Sequence, residues 1–195
     1  VENAEAKEPT EGGETGGETG GSGSGDTEGN ENTLYKFTVK EIVPAVEGKT
    51  NSAEITTLGG TFIFGNAGKI ATSTIAASGF DYKLDGDASA TSSKYAQANF
   101  TNALKVGDVI SIKGYTTSNP SDSKPYGFTV YTDMASAGIA TPRFSTKNTE
   151  EALTITVDQN LAGQKTIYVC RSVGYSVFLT AIEVNGIKTG IANIS

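Results

Sequence analysis

The chain has 195 residues with no histidine, no tryptophan and one cysteine, Cys170, which excludes Ser-His and Cys-His nucleophile pairs, His-ligated zinc and an internal disulfide. The net charge of −7 is concentrated at the start: Val1–Asn32 holds nine acidic residues and one lysine, leaving 14 basic and 13 acidic side chains for everything after it. The later part is therefore nearly neutral, its lysines and arginines are scattered singly, and nothing in it reads as a nucleic-acid-binding patch.

In chain order, residues 1–32 form an acidic Gly/Glu/Thr segment with the imperfect repeat Gly12-Gly13-Glu14-Thr15-Gly16-Gly17-Glu18-Thr19-Gly20-Gly21. No aliphatic side chain larger than alanine follows Val1 there, so the segment cannot bury a core, and its composition is that of a disordered, self-repelling linker. From Leu34 onward the chain alternates short strand-like runs with Gly, Asn, Asp, Ser and Pro, and no stretch sustains an apolar period near 3.6. Strands are expected near 35–39, 60–64, 70–75, 80–84, 95–100, 109–115, 126–131, 153–157, 166–170 and 177–184. Short helical turns fit only at 101–104 and 149–152.

In Val109–Tyr115, Ile110 and Ile112 are expected to face the core, with Ser111, Lys113 and Tyr115 on the opposite face. Thr166–Cys170 and Val177–Val184 read as a closing hairpin turned through Arg171–Tyr175. The second run is apolar enough to be covered on both faces. Gly59-Gly60 and Gly65-Asn66-Ala67-Gly68 match neither a P-loop nor a dinucleotide fingerprint and suit β-turns. Ten strands at this spacing give an all-β fold, an antiparallel two-sheet β-sandwich of jelly-roll-like kind, over residues 33–186, with 187–195 as a turn-rich C-terminal linker. No apolar run approaches the ~20 residues of a spanning helix, so membrane insertion is not expected.

Three segments taken in order carry a resemblance: Phe80-Asp81-Tyr82-Lys83-Leu84-Asp85-Gly86-Asp87-Ala88, Leu104–Ile112, and Gly163–Ser172 followed by Phe178–Val184. They resemble the β-sandwich, jelly-roll-like accessory modules attached to secreted bacterial polysaccharide-degrading enzymes and surface lipoproteins. The resemblance covers roughly residues 60 to 184. It implies a non-catalytic carbohydrate-binding module, monomeric, secreted or at the cell surface, covalently linked to a catalytic module. The ligand would be a polysaccharide or oligosaccharide, and no cofactor is required, although many members hold a structural calcium. Without tryptophan, the chain departs from members with a tryptophan-paved platform.

Sugar recognition needs an aromatic ring against the apolar face of a pyranose and polar groups on its hydroxyls. Tyr115–Tyr126 is the longest polar loop between expected strands, with a tyrosine at each end and Asn119, Asp122 and Lys124 between, so Tyr115, Asn119 and Tyr126 are candidate ligand contacts. The alternative is that both tyrosines cover the core edge. Arg171 and Tyr175 flank the last turn; the arginine can fork onto paired hydroxyls or lock the hairpin through a carboxylate. Asp81, Asp85 and Asp87 are either calcium ligands or turn aspartates. Glu183 stands out as an acid among apolar neighbours, and is a calcium ligand, an arginine partner or an exposed strand residue. The rival to a glycan-binding module is a structural or adhesive sandwich with no glycan ligand.

Overall fold

A computed structural model describes residues 32–40, 54–65, 69–76, 80–84, 95–172 and 176–187. The expectations for residues 1–31, for Tyr175 and for Asp85 and Asp87 lie outside the described residues. Among the described residues, twelve strands form two antiparallel sheets not closed into a barrel, as a β-sandwich requires. The first sheet runs β10 (Glu151–Thr156), β7 (Val109–Tyr115), β12 (Val177–Asn185), β5 (Phe80–Leu84) and β4 (Lys69–Thr72), with β1 (Thr33–Thr38) also paired to β12. The second runs β2 (Glu54–Thr57), β3 (Gly60–Phe64), β6 (Ala96–Phe100), β11 (Thr166–Arg171), β8 (Phe128–Tyr131) and β9 (Ile139–Ala140).

Period-two alternation decides which side chains meet between the sheets. Ile110 and Ile112 of β7 are fully buried in the core, as are Ala96 and Ala98 of β6 and Ile167 and Val169 of β11. Phe37 of the first sheet stacks on Phe62 of the second with ring centroids 3.5 Å apart. Each such phenylalanine contributes about 1.5–3 kcal/mol by leaving water. The Tyr35 hydroxyl crosses the same interface to donate to the Thr61 carbonyl at 3.0 Å, so the phenol is buried without losing its hydrogen bond.

Three expectations are corrected. β11 and β12 do not form a hairpin: β11 lies between β6 and β8, whereas β12 lies in the other sheet, so the chain crosses the sandwich between them. Apolar content tells how deeply a strand is buried and not which strand it pairs with; β12 is covered on both faces from Val177 to Ile182 because it is central in its sheet. Two strands had no sequence signal strong enough to mark them, the polar β2 and the two-residue β9. The helical turns at 101–104 and 149–152 are absent; the first is a bend, and β10 begins at Glu151.

β12 also carries an irregularity that shapes the surface. Along β7 its register shifts between Leu179, opposite Gly114, and Ala181, opposite Lys113, which leaves Thr180 as the extra residue of a bulge. Its other edge is shared: β5 pairs up to Leu179 and β1 begins at Ala181. Thr180 therefore sits at both the bulge and the gap between the two partners.

Candidate functional site

The residues expected at a binding loop occupy quite different surroundings. Tyr115 is fully buried: its ring stacks on Phe178 at 4.7 Å and 4°, and its hydroxyl donates to the carboxylate of Asp81 at 2.8 Å while accepting from the Thr74 amide and hydroxyl. Burial pushes its ionisation above the ordinary tyrosine value, so it stays a neutral donor. Tyr126 is 5 % exposed and belongs to the core. Neither ring is open to a sugar, which corrects the candidate ligand contacts: Tyr115 lies in a buried run that extends to Thr116, and Tyr126 opens the buried run that leads into β8.

Asn119 is exposed, in a loop pinned by the Ser121–Lys124 bridge and an Asp122–Arg143 ion pair. Arg171 is half-buried at the end of β11 in the opposite sheet. These positions do not converge on one open aromatic surface. Glu183 is the partner of two lysines, Lys113 at 3.3 Å and Lys36 at 3.8 Å. Asp81 is occupied by Tyr115. No group of three or more acidic, cysteine or histidine side chains able to hold a metal occurs among the described residues.

A different surface combines rings with hydrogen-bonding groups. On β6 the core-facing Ala96, Ala98 and Phe100 alternate with Tyr95, Gln97 and Asn99, which point outward. The same alternation turns Tyr168 of β11 and Tyr131 of β8 to the outer face of the second sheet, and Tyr168 lies directly across from both Tyr131 and Gln97. All three tyrosines are part-exposed. Tyr95 meets Tyr168 edge to face with centroids 5.1 Å apart, a favoured aromatic geometry that fixes both rings.

Beside the rings runs a polar network. Gln97 Nε2 donates to Asn99 Oδ1 at 3.0 Å, Asn99 Nδ2 donates to Thr61 Oγ1 at 3.0 Å, and Thr166 Oγ1 donates to Asn99 Oδ1 at 3.0 Å. These bonds hold the amides and hydroxyls in fixed orientation while leaving further donors and acceptors free to a ligand.

Under the rings lies Cys170, fully buried and on the outer side of β11, its thiol pushed up to about 12 by burial. Burial, then the neighbouring Tyr168 and Cys170, raise Tyr95; burial, then Cys170, raise Tyr131. Both phenols are therefore uncharged near neutrality. The face offers ring carbon surface, hydroxyls and amides. Sequence reading missed it although the signal was present, in the alternation of Tyr95-Ala96-Gln97-Ala98-Asn99-Phe100; loop tyrosines drew attention instead.

No family model matches the chain, and no curated protein does. A solved structure described as a novel family GH115 4-O-methyl-α-glucuronidase, BtGH115A, with specificity for decorated arabinogalactans, is similar over 63 % of this chain at 15 % identity, with a TM-score of 0.38. The chain spans 16 % of that protein's length.

Proposed function

We propose that this protein is a non-catalytic carbohydrate-binding β-sandwich, secreted or at the cell surface, whose work is to hold a linked enzyme on a polysaccharide. The observation that carries the reading is the outer face of the second sheet, where Tyr95, Tyr131 and Tyr168 stand part-open beside the Gln97–Asn99–Thr61–Thr166 network. Rings of this kind cover the apolar face of a pyranose, and pre-oriented amides take its equatorial hydroxyls. A shallow face buries little ligand, so affinities fall on the order of 10 µM to 1 mM per site. Tethering then raises the local concentration of the attached enzyme without chemistry of the module's own.

Affinity gel electrophoresis over a panel of plant polysaccharides tests this, with Tyr168→Ala and Tyr131→Ala beside the unchanged protein. Retention by at least one polysaccharide, lost in Tyr168→Ala, is the expected result. An EDTA arm decides the calcium question: equal retention removes a metal from the account. The burial of both loop tyrosines favours a second reading, a structural sandwich with no glycan ligand, and absence of retention across the panel would establish it over the first.

A further inference from the structure

The first sheet carries a second candidate site on its outer face, away from the tyrosines of the other sheet. The gap between β5 and β1 over the Thr180 bulge opens into a groove of about 380 Å³, within the size range of small-molecule sites. Lys36, Lys40, Lys113, Asp81, Glu183 and Thr180 line it, with Glu150 contributing from just before β10. Thr180 is 8 % exposed, and its hydroxyl has no hydrogen-bond partner among the described residues. A buried hydroxyl left without a partner costs free energy that a ligand or water in the groove would recover.

The lysines and carboxylates are equal in number, but they are not equally available. Glu183, its side chain 14 % exposed, receives Lys113 at 3.3 Å and Lys36 at 3.8 Å on the same oxygen and so holds two ammonium groups beside each other. Asp81 is already the acceptor for the Tyr115 hydroxyl. Each ammonium has three donors; Lys113 directs one to Glu183, Lys36 pairs with the same oxygen only through its charge at 3.8 Å, and Lys40 has no carboxylate partner among the described residues. The groove is balanced in formal charge, three lysines against Asp81, Glu150 and Glu183, and what it presents to an incoming anion is the ammonium donors that Glu183 does not use, those of Lys40 above all.

We propose that this groove binds the anionic substituent, carboxylate or sulfate, of an acidic saccharide. The oxyanion would be taken by Lys36, Lys40 and Lys113, and a ring hydroxyl would reach Thr180. The saccharide part of this assignment rests on the glycan-binding reading above; the anion part rests on the groove alone. The −7 of the chain is concentrated in residues 1–32 and the rest is nearly neutral, with 14 basic and 13 acidic side chains, so overall charge does not draw a polyanion to the sandwich and binding there reports a local site.

The test is calorimetric titration of the full chain with three oligosaccharides of equal length: an oligogalacturonate, a sulfated galactan fragment and a neutral galactan fragment. One or both anionic oligosaccharides should bind and the neutral one should bind at least tenfold more weakly. Lys113→Gln and Lys40→Gln should each weaken the anionic ligand about tenfold. Thr180→Val should weaken it too while leaving thermal stability unchanged or raised, since it removes a hydroxyl without a partner. Tyr168→Ala should leave anionic binding intact.

Equal binding of the neutral fragment, or anionic binding lost in Tyr168→Ala and retained in Lys113→Gln, overturns the groove while leaving the tyrosine face standing. No anionic binding at all overturns it as well. Retention of neutral polysaccharides then judges the tyrosine face independently.

Discussion

Replacing Tyr115 with phenylalanine separates a structural tyrosine from a ligand-binding one. The ring and its 4.7 Å stack on Phe178 survive the change, and three hydrogen bonds at the hydroxyl do not. Thr74 is exposed, so its donors return to water at little cost. Asp81 is 6 % exposed and loses the 2.8 Å donor to its carboxylate. A hydrogen bond to a charged group is worth about 1.5–3 kcal/mol, so Tyr115→Phe should cost about 2 kcal/mol. For a domain of this size that lowers Tm by roughly 4–8 °C. Thermal and urea denaturation measure it, and a double-mutant cycle with Asp81→Asn should return most of the loss as coupling between the two residues. Polysaccharide retention should be unchanged. A Tm within about 1 °C of the parent's (the size expected of ~0.3 kcal/mol), or retention lost at full stability, would refute the placement of Tyr115 as a structural residue.

Tyr35 makes stability fall in alkali. Its folded-state ionisation is raised by burial, so its contribution is fully present below the unfolded value near pH 10 and declines above it by about 1.4 kcal/mol per pH unit. Tyr35→Phe should flatten that decline in urea titrations between pH 9.5 and 11, and an unaltered slope would contradict it. Cys170, raised to about 12 and fully buried, should resist a thiol reagent at pH 8 until denaturant is added, whereas prompt stoichiometric labelling of the native protein would place the thiol at the surface. Gly59→Ala should destabilise by more than 2 kcal/mol on chemical denaturation, because the residue has φ +77° at the tip of the β2–β3 hairpin and a Cβ there would strike the Leu34 carbonyl; a cost under about 0.5 kcal/mol would show that the turn rearranges freely.

Much of the sandwich was legible in the sequence because alternation and turn residues are local signals. Gly60–Phe64, Phe80–Leu84 and Val109–Tyr115 stand at the expected limits, and Ile110 and Ile112 face inward as the period of two requires. Pairing was not legible. Whether β11 meets β12 depends on the whole sheet, and a five-residue link between two apolar runs is compatible with a hairpin and with a crossing between sheets. The site was misplaced for a related reason. A tyrosine at the end of a strand can lie over the edge of the core or outside it, and Tyr115 is enclosed by Phe178, a residue 63 positions away. Tyr95, Tyr131 and Tyr168 come together only once β6, β11 and β8 are neighbours. Glu183 was conspicuous as an acid among apolar residues, but its two lysine partners come from β1 and β7.

Amide chemical-shift mapping, with the ¹⁵N-labelled protein titrated by a neutral oligosaccharide from whichever polysaccharide retains it, tests the central claim most directly. Perturbations centred on Gln97, Asn99, Tyr131 and Tyr168 are the predicted result. Perturbations confined to residues 116–126 and Arg171, with the outer face of the second sheet unmoved, would contradict it.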